Sequence, residues 1–85
     1  GSVKVPDGKL VRVHATYNDR IESVRITGDF FLEPPEALAD LEAALEGQPA
    51  DASEEDLRAA VAGVDAQLIG FDAGDLAAAT LEAVR

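Results

Sequence analysis

The feature that most constrains the fold is the segment at residues 26–35, where an extended run meets two consecutive prolines. The run carries β-branched residues, a glycine and two adjacent phenylalanines before it reaches Pro34 and Pro35. Proline suits the first turn of a helix, where its missing N–H would have no partner, and it favours extended backbone in the residue before it. The sequence therefore predicts a strand that leads into this segment and a helix that opens at Pro35.

The residues before the prolines are typical of an antiparallel hairpin. Residues 9–17 alternate between apolar and polar side chains, and residues 20–30 return with a second alternating run. The pair at 18–19, Asn-Asp, predicts a two-residue turn between them. Ile21 is out of phase with Val24, which indicates either a bulge or a loose start of the strand near the turn. Such a hairpin has one apolar face and is unstable in water without a cover.

Three amphipathic helical patterns can supply that cover. They span residues 35–46, a segment after Asp51 at capping-box spacing, and a last segment capped by Asp72. The short apolar run at 67–71 is interpreted as an edge strand or an extended link. The predicted fold class is α+β: a small antiparallel sheet of two or three strands, covered on one face by about three helices.

Length and composition limit the chain to one small domain with a thin core. We assign residues 3–85 of the 85 to that domain and interpret Gly1 and Ser2 as the remnant of a cleaved tag. The absence of cysteine excludes disulfides, thiolate metal sites and a cysteine nucleophile. No apolar run approaches the ~18 residues of a membrane span, and no leader pattern is present, so a cytoplasmic location is expected.

The formal net charge of −10 at pH 7 is unevenly distributed. Residues 1–32 hold five basic and four acidic side chains, whereas residues 33–85 hold two basic and thirteen acidic ones. Nucleic acid is an unfavourable partner, because phosphate binding needs clustered Lys and Arg. Abundant Asp, Glu and Ala with few Lys are typical of a halophilic archaeon, whose acidic surfaces are screened by concentrated salt. An ordinary acidic mesophilic protein is the alternative.

The residue types that catalysis requires are scarce. His14 is the single imidazole and lies mid-strand, without a Ser or Cys partner in motif spacing, so a surface position is expected. The acids at 54–56 favour the positive end of a helix dipole more than a cation site. The glycine-containing segments 7–9 and 72–74 lack the spacing of a nucleotide-binding loop. The chain alone is therefore not expected to be an enzyme.

The segment at residues 28–31, Gly-Asp-Phe-Phe, stands out beside the adjoining strand at 8–12. If the strand continues through Phe30 and Phe31, the two rings point to opposite sides and cannot both enter one thin core. One ring would then cover the helices while the other is exposed for a partner, since aromatic residues supply much of the binding energy at interfaces. The alternative is that both rings pack internally after the chain turns.

Two blocks of the sequence, KVPDGKLVRV at residues 4–13 and IESVRITGDFFL at 21–32, resemble the small accessory domain of lipoate-protein ligases. In bacterial members this is the C-terminal domain, and in many archaea it is a separate protein beside a separately encoded catalytic subunit. The resemblance extends to a helix that opens with Pro and Glu and to a Gly-Phe-Asp segment at 70–72. It implies a fold related to the scaffold proteins of iron–sulfur assembly, although the cysteines of those scaffolds are absent here.

The resemblance implies a non-catalytic subunit required chiefly for formation of lipoyl-adenylate. ATP, Mg²⁺ and lipoate are then bound by the catalytic subunit, which transfers the lipoyl group to a lysine of an acceptor domain, an indirect partner. No catalytic, cofactor-binding or metal-ligating residue is expected in this chain. Motif matching predicts these partner-binding residues: Gly8, Lys9, Gly28, Asp29, Phe30 and Phe31.

A stand-alone protein-binding adaptor with no ligase partner is the alternative function. An independent small enzyme has little support from the residues. In either binding role the near-neutral hairpin is the only part of the chain that would not repel an acidic partner, which favours docking through the hairpin rather than the helices.

Overall fold

The computed structural model describes residues 2–4 and 10–84. The elements follow one another in this order: β1 Ser2–Lys4, β2 Leu10–Tyr17, β3 Ile21–Gly28, β4 Phe31–Glu33, α1 Ala37–Leu45, α2 Glu54–Ala62, β5 Gln67–Ile69 and α3 Ala73–Ala83. The described part of the chain contains no helix that is long and apolar enough to cross a membrane.

The main sheet is antiparallel, with the strand order β1-β2-β3. Along the hairpin, Val13 pairs with Ile26, and the register shifts between Thr16 and Tyr17. That shift leaves Glu22 as the extra residue of β3 and allows both Ile21 and Val24 to be buried. The bulge predicted from the phase of these two side chains is confirmed.

The helices cover one face of this sheet. Helix α1 packs against β3, α3 packs across β1 and β2, and α2 lies on α3 and α1. The core between these layers is aliphatic and contains Val11, Val13 and Ile26 from the sheet, and Leu41, Leu45, Leu57 and Leu76 from the helices. The predicted α+β class, with helices on one face of a small antiparallel sheet, is confirmed.

The strands differ in detail from the sequence-based expectation. Strand β1 was not predicted; it begins at Ser2, which pairs with Arg12 of β2. The second alternating run does not continue to Phe30, because β3 ends at Gly28 and a separate strand, β4, pairs with β5 in a second sheet. The hairpin loop has three residues, 18–20, and no described non-glycine residue has a positive φ, so the two-residue turn is wrong.

The helix ends are governed by their caps. Asp72 caps α3, as predicted, and it forms a full capping box with Asp75. Helix α2 is capped by Ser53, whose hydroxyl accepts a hydrogen bond from the Asp56 N–H at 3.1 Å. The cap predicted at Asp51 is therefore wrong by two residues.

Candidate functional site

The chain bends sharply where β3 ends, and Gly28 makes this bend possible. Gly28 has φ 151°, and a Cβ atom on it would collide with the carbonyl oxygen of Leu10. The same carbonyl accepts a hydrogen bond of 3.0 Å from the N–H of Asp29. Gly28 thus allows a close backbone approach to the protein's own strand β2.

The two phenylalanines after this bend have different environments. Phe30 is half-buried, and the centroid of its ring lies 4.5 Å from that of Phe71, with an angle of 48° between the two ring planes. Phe31 is 69% exposed and lies opposite Ile69, which is 40% exposed, across the small sheet. Packing of both rings inside the core is therefore wrong, and the interpretation with one ring inward and one outward is correct.

Phe31 and Ile69 form an exposed apolar surface that we call the Phe31 patch. Beside it, a groove of about 480 Å³ runs between the end of β3, strand β4 and the start of α1. Its walls include Phe30, Pro35 and Leu38. Exposed large apolar side chains next to an apolar groove are typical of a protein-binding surface.

The other predicted partner-binding residues have separate positions. Asp29 is exposed in the bend beside the Phe31 patch. Gly8 and Lys9 lie outside the residues that the structure describes, so their prediction is not tested. Four of the six predicted residues, 28–31, thus follow one another through the bend into β4, and Phe31 is the exposed large apolar side chain among them.

The outer face of the main sheet forms a second accessible surface. We call it the basic sheet face; its exposed side chains are Arg12, His14, Thr16, Ser23, Arg25 and Thr27. His14 is directly opposite Arg25, and the hydroxyl groups of Thr16 and Ser23 are 2.6 Å apart. A shallow groove of about 540 Å³ lies over this face. The sequence showed the alternation of both strands but did not identify these residues as a site, although pairing of the two alternating runs would have brought them together.

The free edge of β3 is occupied by the protein itself. The N–H of Ile26 donates to Glu42 Oε2 at 2.9 Å, and the N–H of Val24 donates to Glu46 Oε2 at 3.1 Å. The backbone of Ile21 pairs with the loop after α1, through Gly47 and the next residue. A partner strand therefore cannot add to this edge without displacing α1.

The acids of α2 lie where the sequence placed them. Glu54, Glu55 and Asp56 form the first turn of the helix and are exposed, and Arg58 reaches Glu55 at 3.4 Å. The described residues contain no group of three or more His, Cys, Asp or Glu that could hold a metal ion. His14 is exposed on the sheet, as expected.

Fold and surface together define a small α+β domain whose accessible features are an apolar patch and a basic sheet face. No protein-family model matches the sequence, and no curated protein matches it. Among solved structures, the chain is similar to one from an archaeal lipoylation system of Thermoplasma acidophilum, described as a bipartite lipoate protein ligase and its E2 lipoyl domain. The TM-score is 0.65 at 26% sequence identity, over 91% of this chain and 83% of that chain.

Proposed function

We propose that this protein is the non-catalytic accessory subunit of a two-part lipoate-protein ligase. It docks on a separately encoded catalytic subunit and is required there for formation of lipoyl-adenylate. The observation that carries the proposal is the similarity, over nine-tenths of the chain, to a chain from a bipartite ligase system. The resemblance of residues 4–13 and 21–32 to the accessory domain supports it independently of the fold.

The Phe31 patch is the proposed point of contact with the catalytic subunit. An exposed Phe stabilises a complex by burying its ring in a partner pocket, and aromatic side chains are enriched among the residues that dominate binding. Phe31 and Ile69 are held in place by the β4–β5 pairing, so little conformational entropy is lost when they bind. The proposed partner-binding set remains Gly8, Lys9, Gly28, Asp29, Phe30 and Phe31.

The proposed division of labour has a physical reason. An acyl-adenylate is hydrolysed by water, and closing a second protein over the site excludes water and holds the reacting groups in position. Lipoate, ATP and Mg²⁺ are assigned to the catalytic subunit, and the lipoyl acceptor domain is an indirect partner of this chain. The accessory chain contributes a rigid surface rather than a reactive group.

The test measures lipoyl-adenylate formation by the catalytic subunit of the same organism, with and without this chain. We expect the chain to raise the rate well above that of the catalytic subunit alone. Absence of stimulation under conditions where both proteins are folded would reject the accessory role. Binding without stimulation would favour the stand-alone adaptor.

Replacing Phe31 tests the proposed contact. We expect Phe31→Ala to raise the Kd of the complex about tenfold or more, corresponding to roughly 1.4 kcal/mol or more. The urea midpoint of the free domain should stay nearly unchanged, because the ring is already 69% exposed. Tyr17→Ala is the matched control. Tyr17 is also an exposed aromatic residue, but it lies at the end of β2 opposite to Leu10, away from the bend at Gly28. Equal loss of binding in both variants would contradict the assignment.

A further inference from the structure

The basic sheet face differs in charge from the rest of the molecule. Its six described side chains include two arginines and a histidine and no acid, in a chain with a net charge of −10. The acids nearest to it in sequence lie at its ends: Asp19 in the hairpin loop, Glu22 at the bulge and Asp29 after β3. The centre of the face, where His14 is opposite Arg25, is therefore the described surface that an acidic body can approach with least repulsion.

The chemistry of this face favours an acidic protein over nucleic acid. Phosphate backbones are bound by many clustered Lys and Arg, and single strands also by aromatic side chains on which bases stack. Among the described side chains of the basic sheet face, Arg12 and Arg25 are the only permanent cations, and there is no Phe, Tyr or Trp. Its hydroxyl groups and guanidinium groups are instead suited to individual carboxylates, which arginine binds through paired hydrogen bonds.

The basic sheet face also adjoins the Phe31 patch. Thr27 lines both the groove over the sheet and the groove beside Phe31. A stable protein interface buries about 800 Å² on each partner, whereas two exposed apolar side chains supply only part of that area. A partner seated on the Phe31 patch therefore needs a neighbouring surface. The edge of β3 is occupied by Glu42 and Glu46, whereas the basic sheet face is accessible and adjoins the patch at Thr27.

We propose that the basic sheet face is a docking surface for an acidic surface of the catalytic subunit, continuous with the contact made by the Phe31 patch. This inference rests on the proposed function and deepens it. It assigns Arg12 and Arg25 to ion pairs with Asp or Glu of the partner, and it assigns the apolar contact to Phe31. Charge complementarity of this kind fixes orientation and accelerates association.

The test compares charge reversals on two sides of the molecule. Arg25→Glu and Arg12→Glu change the charge of the basic sheet face, and Arg58→Glu makes the same change on α2, where Arg58 is exposed and contacts only Glu55 among the described acids. Affinity for the catalytic subunit is measured by calorimetry for all three variants at one salt concentration, so that the general effect of added negative charge cancels. We expect about a tenfold or greater loss for each sheet variant and less than about a twofold change for Arg58→Glu.

Two further measurements separate docking from misfolding. Arg25→Gln, which removes the charge without reversing it, is expected to lose less affinity than Arg25→Glu. The circular dichroism spectrum of each variant should match that of the wild type, and the urea midpoints of the Arg12 and Arg25 variants should stay close to the wild-type value, because both side chains are exposed. Added salt should weaken the wild-type complex more steeply than the Arg25→Glu complex.

The outcomes distinguish this inference from the proposed function. If wild-type protein stimulates lipoyl-adenylate formation but the sheet variants bind as well as Arg58→Glu, the inference is overturned and the accessory role stands. If the wild type neither binds nor stimulates, the accessory role itself fails. If the wild type self-associates and Arg25→Glu abolishes this, the basic sheet face binds a second copy of the chain. If the wild type binds a duplex oligonucleotide and Arg25→Glu abolishes this, the face binds nucleic acid. Either result overturns the inference.

Discussion

Gly28 is the residue on which the geometry of the site depends. Because its φ lies in the region that favours glycine and a Cβ would meet the Leu10 carbonyl, both backbone strain and steric collision oppose any side chain. We expect Gly28→Ala to lower the free energy of unfolding by about 2–4 kcal/mol. Urea denaturation followed by circular dichroism measures this loss.

Two other glycines separate the causes of that loss. Gly47 has φ 87° and open space where a Cβ atom would lie, so Gly47→Ala should cost only the strain, about 1–2 kcal/mol. Gly63 has φ −74° and ordinary contacts, so Gly63→Ala should be neutral or stabilising by up to about 1 kcal/mol. A loss at Gly28 no larger than that at Gly47 would contradict the role of the Leu10 carbonyl.

The elements of the fold are joined by carboxylates as well as by apolar contacts. Glu46 caps the C-terminal end of α1, where the helix dipole disfavours an acid, yet it accepts a hydrogen bond from Val24 in β3. Glu42, one turn earlier, accepts from Ile26 in the same way. These two side chains take the place of a neighbouring strand along the edge of β3, which protects that edge from pairing with another chain.

Removal of either carboxylate should act mainly on one amide. We expect Glu42→Ala to accelerate hydrogen exchange more at the Ile26 N–H than at the Val24 N–H, and Glu46→Ala to do the reverse. Each variant should lose about 1–3 kcal/mol of stability, because a partly buried N–H is left without its charged acceptor. Glu82 on α3 is exposed, so Glu82→Gln serves as the control, and it should change hydrogen exchange at neither amide. Equal acceleration at both amides in each variant would show general destabilisation instead.

Much of this element order was predictable because it depends on local patterns. Alternation indicated the hairpin, the phase conflict at Ile21 indicated the bulge, and helical spacing with Asp72 indicated the last helix. The cap of α2 was misplaced because Asp51 and Ser53 both have capping side chains, and the choice depends on which start lets Leu57 face the core. The separation of β4 from β3 was missed because it arises from contact between Gly28 and Leu10, which lie 18 positions apart in the sequence.

The sequence could identify residues of the candidate site but not their arrangement in space. The pattern could say that Phe30 and Phe31 differ in orientation, but not which ring is exposed, because the strand is interrupted and β4 pairs with the distant β5. Packing of Phe30 on Phe71 settles the choice. The alternation of both strands indicated that the residues of the basic sheet face are exposed. Only the register of the two strands shows that they lie together, with His14 opposite Arg25.

At the scale of the whole molecule, the charge is segregated between layers. The main sheet carries Arg12 and Arg25 outward, whereas residues 33–85, which include the three helices and their connections, hold thirteen of the acids. The ion pair between Arg58 and Glu55 is exposed and contributes little to stability. Repulsion within the helical layer is therefore opposed mainly by the apolar core, and dissolved salt weakens this repulsion by screening it.

Stability should accordingly increase with salt. We expect KCl to raise the Tm by about 4–8 °C or more, equivalent to roughly 1 kcal/mol in a domain of this size. Simple screening is largely complete near 1 M, where the Debye length is about 3 Å, so a further rise above that concentration would indicate the salt adaptation predicted from the composition. Arg58→Glu adds negative charge to the helical layer and should lower the Tm more at low salt than at high salt. A Tm that does not depend on KCl in either protein would instead identify an ordinary acidic protein, whose helical layer is stable without screening.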